Sequence, residues 1–129
     1  MADIALTSTT LTTYQGEKAI TVIDSTSTVI NATETFAITP NRAANKLVVI
    51  INVGPTHGAV AFSVAAGTHF GAGNDYTGSV AQDTSEAFVL DTAKFLNADG
   101  KIIITATPAT GKKLYTDHAM SASLISLPF

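Results

Sequence analysis

Apolar and branched residues recur along this chain in short runs with a two-residue period, and breakers separate the runs. Thr, Val and Ile dominate the runs, and their branched side chains suit a pleated sheet. No stretch of ten or more residues carries a helical period. Residues 18–24 predict a strand with Ile20 and Val22 facing one way. Residues 29–32 either pair with it or form a loop. Residues 35–39 place Phe36 and Ile38 on one face and stop before Pro40, which fits poorly in an inner strand. Residues 46–53, KLVVIINV, are apolar on both faces over five positions and predict a central strand buried on both sides. Gly54, Pro55 and Gly58 mark a turn, and residues 59–65 then alternate, with Val60, Phe62 and Val64 on one side. The two strands and this short turn predict a hairpin.

Residues 67–78 hold four glycines with Asn74 and Asp75 and predict an ordered surface loop. Residues 85–91 carry Phe88 and Leu90 on one face, residues 97–100 read as a turn, and residues 101–107, KIIITAT, predict another strand. Residues 108–113 form a polar loop. In the final strand, residues 119–127, the apolar positions change phase between Leu124 and Ile125, which predicts a bulge or an exit from the sheet. Eight or so short strands at regular spacing predict an all-β fold, a jelly-roll-like β-sandwich or a small barrel.

The leading segment differs. Residues 4–13 are polar apart from Ile4, Leu6 and Leu11, and these three share no single alternation phase. They read as an extended N-terminal arm whose register its own sequence specifies weakly. Residues 1–16 are therefore set apart from one β domain spanning 17–129. A neighbouring subunit's sheet edge is one partner for such an arm, and its own domain is the other.

Charged residues make up only 13% of the chain, against roughly 25% in an average soluble protein. A surface so poor in charge fits either an assembled protein or a plain Thr-rich β domain. The net charge is −3, and no Lys or Arg lies between Lys46 and Lys94. Binding to nucleic acid calls for several cations on one face, so it is not expected. The longest apolar run, residues 47–51, is too short to span a bilayer, so no membrane association is expected. The first residues lack a basic n-region and an apolar run, which predicts synthesis and folding in a cytoplasm.

Catalytic signals are weak. His57, His69 and His118 could join Asp75 or Asp117 around zinc, but no two have a local ligand spacing, and exposed loop histidines are the expectation. No serine lies in a Gly-x-Ser-x-Gly elbow. The glycines of residues 67–73 lack the Gly-Lys-Ser/Thr ending of a phosphate loop. Residues 31–33, Asn-Ala-Thr, match a glycosylation sequon. Cysteine is absent, which removes disulfides and thiolate chemistry. The expected reading is a non-enzyme without metal or cofactor. His69, Phe70 and Tyr76 stand out instead as a ligand loop whose aromatics could stack on a sugar, as in the carbohydrate- or receptor-binding domain of a virion tail or fibre.

The runs KLVVIINVG…GAVAFSVAAG, TSEAFVLDTAKFLNADGKIIITAT and ASLISLP resemble the small head proteins of tailed bacteriophages, as does the alternating Ala/Leu/Thr segment of residues 5–13. Residues 17–45 depart from that pattern and look like an added hairpin. The resemblance implies a decoration, or cement, protein on the outside of an icosahedral capsid. Such proteins sit over junctions between major capsid subunits, often as homotrimers, and resist the pressure of packaged DNA. With the arm and the low charge, it points to Ala2, Asp3, Ile4, Ala5, Leu6, Thr7, Leu11 and Thr13 as the main contact with the major capsid protein.

Overall fold

The computed structural model describes residues 4–10, 21–40, 46–55, 58–68 and 73–127. In chain order the strands are β1 (Ile4–Ala5), β2 (Ser8–Thr10), β3 (Val22–Asp24), β4 (Glu34–Ile38), β5 (Lys46–Val53), β6 (Val60–Val64), β7 (Tyr76–Val80), β8 (Thr84–Asp91), β9 (Ile102–Thr107) and β10 (Ser121–Leu127). One helical turn, α1 (Thr92–Phe95), follows β8. A first sheet runs β1-β4-β9-β6-β7. A second runs β2-β10-β5-β8, with β3 also paired to β10. The sheets face each other across one apolar core, so the fold is a β-sandwich and not a closed barrel.

Alternation builds that core. Phe36 and Ile38 of β4, Val60, Phe62 and Val64 of β6, and Ile102, Ile104 and Ala106 of β9 point inward from the first sheet. Leu47, Val49, Ile51 and Val53 of β5, Leu90 of β8 and Leu124 of β10 point inward from the second. Each large buried side chain contributes about 1.5–3 kcal/mol of transfer free energy.

The leading segment is part of this body. β1 pairs in parallel with β4, with Ile4 opposite Phe36, and Leu6 N–H donates to the Ala37 carbonyl at 2.9 Å. Leu6 is buried in the core. After Thr7 the chain crosses to the second sheet, where β2 pairs in parallel with β10. Residues 4–10 thus stitch the two sheets together, and their backbone hydrogen bonds go to their own chain. Of the two partners left open for that stretch, it takes its own domain. Ile4 and Leu6 share one phase and lie before the crossing; Leu11, which breaks that phase, lies outside the described residues.

Other sequence expectations change too. Strands β5 and β6 belong to different sheets and form no hairpin; the connection carries the chain across the sandwich. Gly54 at its start is fixed there, donating to the His118 carbonyl at 2.7 Å and accepting from Asp83 N–H at 2.7 Å. Likewise β3 and β4 lie in opposite sheets, so these two strands do not form the hairpin expected within residues 17–45. Residues 29–32 belong to the loop between them. On β3 it is Ile23 that packs against the core, while Val22 faces solvent. The expected loop of residues 67–78 ends in β7, whose Tyr76 pairs with Val64 and Gly78 with Phe62. Finally, β10 pairs with β5 without interruption from Ser121↔Asn52 to Leu127↔Lys46, so the phase change at Ile125 is no bulge. Ile125 simply points outward.

Candidate functional site

The outward positions of the second sheet form ordered rungs across its strands. One end rung is Ser85, Asn52, Ser121 and Asp24. Its side chains bond to one another: Ser85 Oγ donates to Asn52 Oδ1, and Asn52 Nδ2 donates to Ser121 Oγ at 3.3 Å. The next rung is Ala87, Ile50, Ser123 and Val22. The third is Val89, Val48, Ile125 and Thr9. The last rung holds Asp91, whose backbone pairs with position 46 of β5.

The two middle rungs are apolar apart from the hydroxyls of Ser123 and Thr9, both buried. Val89 is 63% exposed and Val22 54% exposed, while Val48, Ile50 and Ile125 are half-buried. β5 is thus central in its sheet, buried on its inner face and half-buried on its outer one, against the expectation of full burial on both. The outward face of the first sheet is mixed, with Ala5, Ala37 and Ile103 forming one apolar rung. Another outward rung is Thr35, Thr105, Ser63 and Thr77, a row of hydroxyls. An apolar rim continues to the sheet edge, because among the described residues no strand pairs with β8 on the side away from β5. A free edge offers unpaired N–H and carbonyl groups to another polypeptide.

A second surface lies where the sheets part, between β7 and β8. Phe62 and Phe88 stack there, with centroids 4.9 Å apart and planes 3° apart. Tyr76 leans against both, at 5.8 Å from Phe62 and 5.5 Å from Phe88. A groove of about 360 Å³ beside Tyr76 is lined by Gly73, Asn74, Asp75, Lys94 and Phe95.

The sequence-derived site residues fall in different places. Ile4, Ala5, Leu6 and Thr7 lie in the stitching segment, with Leu6 buried and Ala5 and Thr7 exposed. Ala2, Asp3, Leu11, Thr13, His69 and Phe70 lie outside the described residues, as does His57. Tyr76 stands on β7 beside the groove. His118 is fully buried and not an exposed loop residue; its Nε2 accepts from Ala109 N–H at 3.1 Å, which folds the 108–118 loop around the ring. Asp117 Oδ2 accepts from Lys113 N–H at 2.7 Å, and Asp75 Oδ1 from Ala66 N–H at 2.8 Å. Among the described residues no three His, Cys, Asp or Glu side chains come together as a metal site. Among them, too, no helix is long and apolar enough to cross a membrane.

Sequence reasoning missed the apolar face. Its signal was present, in the two-sided apolar pattern of KLVVIINV and the phase change at Ile125, but both were assigned to burial or irregularity. Comparisons with protein-family models, with curated proteins and with solved structures found no match.

Proposed function

We propose that this protein is a structural component of a virion that decorates and stabilises the outside of an icosahedral capsid, docking onto major capsid subunits through the outer face of its second sheet. The observation that carries the proposal is the pair of apolar rungs around Val48, Ile50, Val89 and Ile125. Burying these side chains against a protein partner releases water at about 25 cal/mol per Å². The core of a protein interface is depleted of charge in the same way, with polar groups at its rim. Here the rim is the Ser85–Asn52–Ser121 row at one end and Asp91 at the other.

The low overall charge and the segment resemblance support the same reading. The protein acts without catalysis or cofactor: with many copies per shell, modest affinity at each contact sums by multivalency. Ala5 and Thr7, exposed on the stitching segment, are the arm positions left to extend the contact. A trimer of this chain around a capsid symmetry axis is the matching assembly.

Co-sedimentation with expanded, undecorated capsids tests the proposal. The wild-type chain binds at stoichiometric ratio. Val48→Lys and Val89→Lys, which place an ammonium in the dry centre, weaken binding at least about tenfold. Thr77→Lys, on the opposite face, leaves it unchanged. Equal binding by all four proteins would sink the assignment of this face.

A further inference from the structure

The rim between β7 and β8 has chemistry unlike that of the apolar face. Tyr76 is held from behind by Phe62 and Phe88 yet remains 42% exposed. Its ring is therefore a rigid platform with part of its surface in water. The groove beside it, about 360 Å³, is large enough for a small organic ligand, since such sites run from roughly 300 Å³ upward. A smaller hollow of about 110 Å³, which Tyr76 also lines, is walled by Phe62, Gly78, Ser79, Glu86, Ala87 and Phe88.

The walls of the groove are fixed by backbone contacts. Asp75 is tied to the Ala66 N–H, and the next residue, Gly67, donates to the Lys94 carbonyl at 2.8 Å. Thr68 N–H donates to the Leu96 carbonyl at 3.2 Å. The approach is so close that a Cβ on Gly67 would sit 2.6 Å from the Leu96 oxygen. One short strip of backbone, residues 66–68, thus sets the spacing between Asp75 and Lys94. Asp91 caps α1 by accepting from Ala93 N–H at 3.0 Å, which holds the turn carrying Lys94 and Phe95. A groove organised before binding loses less entropy when it is filled.

The lining selects a ligand class. Tyr76 and Phe95 offer apolar ring surface. Asn74 donates and accepts, Asp75 keeps acceptor capacity beyond its bond to Ala66, and Lys94 donates. Among the described residues the lining holds one carboxylate and one ammonium, so it offers a phosphate or polyanion no surplus of cations. A purely apolar ligand uses neither of them. A pyranose satisfies all of these side chains, with one face of C–H groups to lie on an aromatic ring and a belt of hydroxyls that both donate and accept.

We infer that the groove is a glycan-binding site in which a pyranose ring stacks on Tyr76 while Asn74, Asp75 and Lys94 bond its hydroxyls. The site lies at the sandwich margin between β7 and β8, next to the strand that carries Ala87 and Val89 of the apolar rungs.

Saturation-transfer NMR on the full chain, with the methyl glycosides of glucose, galactose, mannose and N-acetylglucosamine as probes, tests the inference. At least one sugar receives saturation, most strongly on the protons of one ring face. Tyr76→Ala weakens its binding about tenfold or more, and Lys94→Ala and Asp75→Asn weaken it severalfold. The last two residues are exposed, so their variants decide the matter even if Tyr76→Ala loosens the sheet. No transfer to any of the four probes overturns the inference, as does undiminished transfer in the Lys94 and Asp75 variants. Capsid co-sedimentation by Lys94→Ala stays at the wild-type level, which separates this site from the docking face.

Discussion

The ring of Phe62 lies across Gly78, the residue directly opposite it on β7, and a Cβ at position 78 would sit 2.7 Å from the ring's Cζ. Glycine in a strand gives up packing and backbone entropy. Here the vacancy admits an aromatic ring that bridges to Phe88 on the other sheet. Gly78→Ala forces Phe62 from its place and breaks the stack, at about 1–3 kcal/mol as measured by urea denaturation. The same variant shifts the Tyr76 ring resonances, because Tyr76 rests on both phenylalanines.

Leu6 holds the stitching segment in the core. Leu6→Ala leaves a cavity between the sheets and costs about 2–5 kcal/mol. Thr7→Ala, at the exposed crossing point one residue later, changes stability by no more than about 0.5 kcal/mol. Equal melting temperatures for the two variants would contradict the placement of β1 and β2.

Glu34 is a fully buried carboxylate at the start of β4. Thr26 N–H donates to both of its oxygens, at 2.9 and 3.1 Å, the Thr26 hydroxyl donates at 2.9 Å, and Ser27 N–H donates to Oε1. The side chain thereby gathers the loop after β3. Glu34→Ala strands these donors and costs about 2–4 kcal/mol. Glu34→Gln, which keeps one acceptor oxygen, loses about half as much. Amide hydrogen exchange at Thr26 and Ser27 speeds up in both variants, with the larger effect in Glu34→Ala.

Strand β8 is an eight-residue edge with Val89 exposed near its end. Between Glu86 and Asp91 the strand has four uncharged residues, and an edge stretch without charge recruits other chains. Sedimentation of the wild-type chain therefore shows mass rising with concentration, and Val89→Lys lowers that association without changing the melting temperature. A Val89→Lys variant that self-associates as the wild type does would move the contact elsewhere.

Much of the architecture was legible from alternation. Phe36 and Ile38, Val60 to Val64, and Leu90 point where their two-residue period puts them, because a strand's side chains leave its two faces in turn. The turn residues marked most strand ends for equally local reasons. The candidate surfaces were less legible. Tyr76 was picked out as an exposed aromatic, yet its partners Phe88 and Lys94 come from later elements that no local pattern ties to it. Val48 and Ile125 carried a signal that was misread, since an apolar residue on a strand's second face looks alike whether it is covered or bare.

By itself the sequence determined that this is a β protein, where most of its strands run and which side of each is most apolar. These are properties of neighbouring residues, fixed by sterics and hydrophobicity over a few positions. Only the tertiary structure decided that β5 and β6 sit in opposite sheets, that residues 4–10 close both sheets within one chain, and that one sheet face carries two apolar rungs that stay partly exposed. Strand partners lie tens of residues apart, and their choice rests on the packing of the whole core.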